Sequence, residues 1–196
     1  PLDGFMREKD YKSVVDKMEM AAGTLWPIPI TLSVKNQQAD SLAIGSKVAL
    51  VDDESNELMG ALNIKEKYAY DKREEAIKVF GTDDDAHPGV AKVYAQHDIL
   101  LGGPVEVFSH GPYPAEFGDY YATPAQTRAI FEQKGWRTIG AFQTRNPIHR
   151  SHEYVTKIAL EVTDGVLIHP LVGKLKAGDI PADVRMKCYE VLIDNY

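Results

Sequence analysis

Several features are scarce in this chain of 196 residues, and each scarcity narrows the possible classes of protein. The sequence has one cysteine, Cys188, which excludes an internal disulfide and is typical of proteins in a reducing cytoplasm. No apolar run approaches the roughly 18 residues of a membrane-spanning helix, so we expect no membrane partner. Positive charge is also in deficit, because 22 Lys and Arg face 29 Asp and Glu, giving a net charge of −7. This balance argues against nucleic acid as the main partner.

Against this acidic background, one stretch concentrates cations and amides, namely Gln143 to Glu153, which reads QTRNPIHRSHE. An apolar run precedes it and predicts a strand over 138–143, and the apolar spacing of residues 155–162 predicts a helix after it. Asn146 suits the N-cap of that helix and Pro147 its first position. The free N–H groups at such a helix end, with its positive dipole, bind anions. The stretch therefore predicts an anion-binding site at a strand-to-helix turn.

Three cationic side chains in the stretch support the same interpretation. His149 and His152 are three residues apart, so they share one face of the first helical turn. Arg145 offers a planar fork of N–H donors that fits a tetrahedral oxyanion. A zinc site is the alternative for two nearby histidines, but the His-Glu-x-x-His order is absent and we predict no metal ligands. The pattern favours a site for a polyphosphate and a second anion.

The surrounding chain predicts two domains, residues 1–121 and 122–196. Thr123 is a good N-cap, with Pro124 and Gln126 at the positions of a capped first turn, so a helix should run to about Lys134. A second apolar run, 165–170, follows the motif helix and completes a βαβ unit with parallel strands. Ligands bind at the carboxyl ends of such strands, where Gln143 and His169 fall. The loop over 173–179, with its glycines and lysines, reaches either phosphates or only solvent.

Shorter patterns organise the first domain, and it should be rich in strands. We predict helices over 10–22, 68–80 and 90–97, a strand over 28–34, a hairpin of 48–51 with 58–64, and a strand over 98–108 broken at 102–104.

The motif QTRNPIHRSHE resembles the signature of the ATP sulfurylase (sulfate adenylyltransferase) family. Four further segments resemble the same family in collinear order: residues 23–31, 101–105, 169–173 and 179–186. The resemblance implies an N-terminal PUA-like β-barrel domain followed by part of an α/β Rossmann-like nucleotidyltransferase domain. PUA-like folds elsewhere bind RNA, but no basic patch interleaved with aromatic residues occurs here, so we expect a structural role.

The resemblance also implies an activity, in which a sulfate oxygen attacks the α-phosphate of ATP and releases pyrophosphate. It implies sulfate binding by Gln143 and Arg145. The α- and β-phosphates would be oriented by Thr144 and Asn146. His149 and His152 would stabilise charge on the transferring phosphate and the leaving group, while His169 and Gly173 line the nucleotide pocket. Mg²⁺ would enter with ATP rather than bind a protein cage. The forward and reverse directions share one site, so the motif fits either pathway.

The chain begins with Pro1 and ends inside an amphipathic pattern, so we expect a fragment of a longer protein that is inactive alone. The Gly-Arg-Asp-His-type loop that completes the family's site does not occur in it. We expect the complete protein to be a cytoplasmic homo-oligomer. Two alternatives remain: a related nucleotidyltransferase with another acceptor, and a non-catalytic module that binds RNA or protein.

Overall fold

The structure is a computed structural model that describes residues 2–172 and 178–195. The chain divides into two compact units, Pro1–Gly111 and Pro112–Tyr196. The boundary that the sequence suggests, after Tyr121, stays a prediction. None of the helices in the described ranges is long and apolar enough to cross a membrane.

The first unit is an antiparallel β structure decorated by short helices. In chain order its elements are β1 Gly4–Phe5, α1 Glu8–Lys17, β2 Ser33–Val34, α2 Asn36–Ser41, β3 Lys47–Val51, β4 Leu58–Asn63, β5 Glu66–Ala69, α3 Lys72–Phe80, α4 Pro88–Ala95 and β6 Ile99–Val107.

Strand β6 is the centre of this unit, since β1, β2, β4 and β5 all pair with it antiparallel. The predicted hairpin of β3 with β4 is confirmed. The predicted break at residues 102–104 is wrong, because β6 runs through them without interruption. A Cβ on Gly103 would lie 2.1 Å from the Asn63 carbonyl oxygen, so the glycine permits a close crossing of strands rather than ending one.

Three other predictions for this unit need correction, and one of them is the helix over 10–22, which forms over Glu8–Lys17. The strand expected over 28–34 forms only at Ser33–Val34, and Ile28 and Ile30 are exposed. Pro27 and Pro29 cannot donate ladder hydrogen bonds, so this segment forms only single backbone bonds, such as that from the Met6 N–H to the Ile30 carbonyl, and no regular strand. The helix expected over 68–80 begins at Lys72, because Tyr68 belongs to β5 and pairs with β6.

The first unit has two core clusters among the described residues, and one of them forms where α1 packs on the sheet. Val14 and Leu100 are fully buried there, together with Tyr11 and Tyr68. Glu75 of α3 is 5% exposed and accepts a hydrogen bond of 2.8 Å from the Tyr11 hydroxyl. Burial raises the pKa of Glu75 above its ordinary value, although the Tyr11 hydrogen bond acts in the opposite direction.

The second unit contains one parallel strand pair flanked by helices. Its elements are α5 Tyr113–Phe117, a 3₁₀ turn Gly118–Tyr120, α6 Pro124–Gln133, β7 Ile139–Thr144, α7 Arg150–Val162, β8 Gly165–Pro170 and α8 Ala182–Asn195. The predicted βαβ unit is confirmed, since β7 and β8 are parallel and α7 connects them.

The start of α6 agrees with the sequence and the start of α7 does not. Thr123 and Gln126 form the expected capping box, with Pro124 in the first turn. Asn146 was expected to cap α7, but the helix begins at Arg150 and its N-cap residue is His149. Asn146 is instead held in a turn, where its N–H donates to the Thr144 hydroxyl at 3.1 Å. A hydroxyl two residues back offers the backbone an alternative to helix, which delays α7 by three residues.

Candidate anion-binding site at the ends of β7 and β8

The carboxyl ends of the two parallel strands bring Gln143 and His169 together. They are register partners, and the Gln143 amide nitrogen lies 3.2 Å from the His169 Nδ1. The next pair, Thr144 and Pro170, ends the ladder, and the Leu171 N–H still donates to the Thr144 carbonyl at 3.0 Å. Two of the predicted site residues thus form one polar edge, as parallel strands require.

The opposite ends of these strands are tied by Asp164. Its carboxylate accepts from the N–H groups of Arg137 and Thr138 at 2.9 and 2.8 Å, and from the Thr138 hydroxyl at 2.9 Å. These donors favour the charged form and hold the pKa of Asp164 below its usual range. The strand pair that carries the site is therefore anchored at its far end by a charge-assisted cluster.

The two histidines of the motif lie against each other at the start of α7. Their ring centroids are 3.9 Å apart with an interplanar angle of 35°, and the ring of Phe142 lies 5.5 Å from that of His152. The His149 N–H points at the His152 Nδ1 across a long 3.4 Å contact, and the Ser151 hydroxyl lies 3.0 Å from the His149 Nδ1. When its Nδ1 accepts in this way, neutral His152 carries its hydrogen on Nε2, where it can donate to an anion.

Arg145 is engaged by a carboxylate that sequence reasoning did not select. Its Nη2 donates to Asp179 Oδ2 in a close ion pair across 34 positions of chain. The two side chains are 33% and 16% exposed, so the pair is only partly desolvated. A planar guanidinium held by a carboxylate is already oriented for a second oxyanion. Asp179 lies in the segment 179–186 that resembles the family, but no feature of the local sequence predicted its contact with Arg145.

Two residues of α8 were also missed, and they contact the backbone of the motif. Arg185 is 1% exposed and its Nη1 donates to the carbonyl oxygens of Arg145, at 3.1 Å, and of Leu171. Tyr189 is 3% exposed and its hydroxyl donates to the Asn146 carbonyl at 2.8 Å. Arg185 and Tyr189 are four residues apart and so share one face of α8, which the sequence could have shown. The apolar residues of the same helix drew the interpretation to its amphipathic pattern instead.

The apolar residues of α8 differ in how far they are buried. The amphipathic pattern at the end of the sequence consists of Val184, Cys188, Val191 and Leu192. Val184 and Val191 are exposed, and Cys188 and Leu192 are partly buried. Beside these residues is an open depression of about 520 Å³, lined also by the first turn of α7 with His149.

Two remaining predictions concern a nucleotide and a metal. Gly173 lies outside the described residues. A larger cavity of about 850 Å³ belongs to the first unit, between α1 and α3, and none of the predicted site residues lines it. Within the ranges that the structure describes, no group of three His, Cys, Asp or Glu side chains is placed to hold a metal ion.

Fold and site together define a class of protein: an antiparallel β domain followed by the beginning of an α/β domain with a polar, cation-rich strand edge. A family model described as a PUA-like domain matches residues 1–110, and one described as ATP-sulfurylase matches residues 118–196. The chain belongs to the PUA-like domain family through residues 1–110, and its residues 118–196 match the ATP-sulfurylase family. The resemblance and the fold class predicted from the sequence are thereby confirmed.

Individual relatives agree with this assignment. The chain is 61% identical over 196 residues to a protein named sulfate adenylyltransferase from Chlorobaculum tepidum, covering 100% of this chain and 48% of that protein. A protein of the same name from Pelodictyon phaeoclathratiforme is also 61% identical, with 49% of it covered. The chain spans about half the length of the curated relatives it matches.

A solved structure is similar over the same range. It is the hexameric APS kinase from Thiobacillus denitrificans, with a TM-score of 0.67 and 28% sequence identity. The match covers 100% of this chain and 34% of that one.

Proposed function

We propose that the protein containing this chain is a sulfate adenylyltransferase, a nucleotidyltransferase that converts ATP and sulfate to adenosine 5′-phosphosulfate and pyrophosphate, reversibly. The observation that carries the proposal is the polar edge formed by the QTRNPIHRSHE motif at the carboxyl ends of β7 and β8. The names of the relatives support the same acceptor.

The reaction is an in-line displacement at the α-phosphorus. A sulfate oxygen forms a bond to that phosphorus while the bond to the oxygen bridging the α- and β-phosphates breaks, and pyrophosphate leaves with the electron pair. No protein nucleophile takes part, so positioning and charge stabilisation supply the catalysis. This requirement fits a site made of an arginine, two histidines and amides.

Sulfate is assigned to Gln143 and Arg145. Arg145 binds sulfate through its guanidinium. It either keeps its ion pair with Asp179 or exchanges the Asp179 carboxylate for sulfate. Gln143 donates from the amide that lies 3.2 Å from His169. A carboxylate and a sulfate present similar paired oxygens to a guanidinium, which is why one can hold the place of the other.

The nucleotide is assigned to the turn and the helix that follow. Thr144 accepts from the Asn146 N–H, which leaves its hydroxyl hydrogen able to donate to a phosphate oxygen, and Asn146 donates beside it. His149 and His152 donate to the transferring phosphate and the pyrophosphate. His169 and Gly173 complete the pocket on the β8 side.

Magnesium is proposed to arrive as the ATP complex, on the phosphate oxygens, since the described residues hold no carboxylate set for it. The complete protein is proposed to be a cytoplasmic homo-oligomer without a nucleic-acid or membrane partner. The single cysteine and the net charge of −7 support the location and the absence of a nucleic-acid partner.

The test is ATP–pyrophosphate exchange by the full-length protein. We expect label from pyrophosphate to enter ATP only when sulfate is present. Exchange that depends on an acceptor other than sulfate would indicate a related nucleotidyltransferase instead of a sulfate adenylyltransferase. No exchange, with tight binding of RNA or protein, would favour the non-catalytic alternative.

The sulfate assignment is tested by Arg145→Lys in the same protein. Lysine offers a point charge where sulfate requires a fork, so the KM for sulfate should rise at least about tenfold while the KM for ATP changes little. Arg128→Lys is the matched control, because Arg128 is an exposed arginine of α6 outside the site. An unchanged sulfate KM in Arg145→Lys would remove Arg145 from the sulfate site.

A further inference from the structure

Two side chains of α8, Arg185 and Tyr189, have no role in the mechanism above, yet they are bonded to the main chain of the motif. We propose that they are positioning residues: they fix the peptide planes on both sides of Asn146 and so set the direction of the side chains that meet the substrates. The inference rests on the proposed function, because it assigns them a part in the same site.

Arg185 joins three segments of chain that end at the site. Its Nε donates to the Ile180 carbonyl at 2.9 Å, and its Nη1 donates to the carbonyls of Arg145 and Leu171. Ile180 precedes α8, Arg145 follows β7 and Leu171 follows β8. One planar group therefore holds the exits of both parallel strands at the distance that its fork dictates.

The charge of Arg185 makes a purely structural role expensive. Arg185 is 1% exposed, and within the described residues no carboxylate lies in ion-pair range of its guanidinium. A buried charge without a counter-charge is costly, and an apolar residue of similar volume packs at lower cost. The cost falls when an anion binds nearby, and the site above this side chain is proposed to receive two anions.

Tyr189 completes the constraint one helical turn later. Its hydroxyl donates to the Asn146 carbonyl at 2.8 Å, while Arg185 donates to the preceding carbonyl, that of Arg145, at 3.1 Å. Two consecutive carbonyls fix the two peptide planes that flank one Cα, and with them the direction of its Cβ. The N–H of Asn146, in the first of these planes, donates to Thr144. Asn146 is thus held by three bonds to its flanking peptides.

The kinetic consequence follows from geometry. A misplacement of about 1 Å at a reacting group costs about 100-fold in rate, even when binding survives. Loss of either α8 donor frees one peptide plane at the turn, so kcat should fall more than the KM for ATP rises. A residue that only stabilised the fold would lower the melting temperature without changing kcat per folded molecule.

The experiment uses the full-length protein with Tyr189→Phe, Arg185→Lys and the control Tyr154→Phe, whose ring is on α7 and 67% exposed. Tyr189→Phe keeps the ring and removes only the donor. We expect kcat to fall about tenfold in it, with the KM for ATP changed less than about threefold. Arg185→Lys keeps the charge but gathers its donors on one nitrogen, so we expect a fall of about 100-fold. The control should keep the wild-type kcat.

Amide hydrogen exchange at residues 144–146 is measured on the same proteins and needs no activity. It should be faster in Tyr189→Phe than in the wild type and unchanged in Tyr154→Phe. If Tyr189→Phe keeps both the wild-type kcat and the wild-type rate of amide hydrogen exchange, the proposal is overturned, whatever the result for Arg185→Lys. If the wild type shows no sulfate-dependent exchange of pyrophosphate, the proposed function fails, and amide exchange alone decides whether the pair holds the turn.

Discussion

The packing of Trp136 on Gly165 can be tested with two matched glycine-to-alanine changes. A Cβ on Gly165 would lie 2.3 Å from the indole ring of Trp136, whereas one on Gly140 would meet its nearest neighbour, the Ala159 methyl, at an ordinary 3.4 Å. The two glycines sit on the paired strands β8 and β7. The ring is partly buried and stacks on Phe131 with centroids 6.1 Å apart, so displacing it would disturb that contact.

The two substitutions should change the free energy of unfolding in opposite directions. An extra methyl in a filled space costs about 1–3 kcal/mol, and the clash at Gly165 is severe, so about 3 kcal/mol applies. Replacing glycine by alanine in an allowed conformation stabilises the folded state by about 0.4–1 kcal/mol, because it lowers the conformational entropy of the unfolded chain. We therefore expect Gly165→Ala to lower the free energy of unfolding of the second unit by about 2 kcal/mol, and Gly140→Ala to raise it by about 0.5 kcal/mol.

The assay is urea unfolding of the 196-residue chain, followed by tryptophan fluorescence. Trp26 belongs to the first unit, so every protein in the series carries Trp26→Phe and Trp136 alone reports on the second unit. With a slope of about 1–2 kcal/mol per molar urea, the midpoint should fall by about 1–2 M in Gly165→Ala. Equal midpoints for Gly165→Ala and its parent would refute the reasoning, because the ring would then move aside without cost.

The remaining predictions concern pH, a helix cap and catalysis. The raised pKa of Glu75 means that folding favours its protonated form, so its contribution to stability is present below about pH 4 and lost as pH rises through the folded-state pKa. Glu75→Gln still accepts from Tyr11, so it should gain stability relative to the wild type on going from pH 4 to pH 8 in urea titrations; a constant difference would contradict this. Thr123→Ala should lose about 1 kcal/mol in thermal unfolding and Thr123→Ser much less, unless the capping box contributes nothing. If the proposed function holds, His149→Ala and His152→Ala in the full-length protein should each lower kcat about 100-fold with little change in the KM for ATP, and wild-type turnover in either would exclude that histidine from catalysis.

Local features of both units could be predicted because their causes lie close together in the chain. The capping box of α6 depends on Thr123, Pro124 and Gln126, which are adjacent in the chain. The parallel pairing of β7 with β8 follows from the strand, helix, strand order, which has one favoured hand. The β3–β4 hairpin likewise depends on two apolar runs around a short polar turn.

The errors of sequence reasoning have tertiary causes. Strand β6 continued through Gly102 and Gly103 because distant segments of the chain pass close to both glycines. Tyr68 joined a strand rather than a helix because β6 offered it a partner. Alternation and helical spacing report only local preference, and pairing with a distant strand overrides them.

By itself, the sequence determined the family, the order of the two units and the residue types at the ends of β7 and β8. The family follows from the resemblance of the QTRNPIHRSHE motif and its collinear segments, and the other two properties follow from the order of residues along the chain, which does not need a folded structure. Only the tertiary structure decided that Asp179 meets Arg145 across 34 positions and that Arg185 and Tyr189 hold the turn beneath it. Contacts of that kind depend on how α8 packs against the strand ends, and the free energy that selects the packing is shared among residues far apart in the chain.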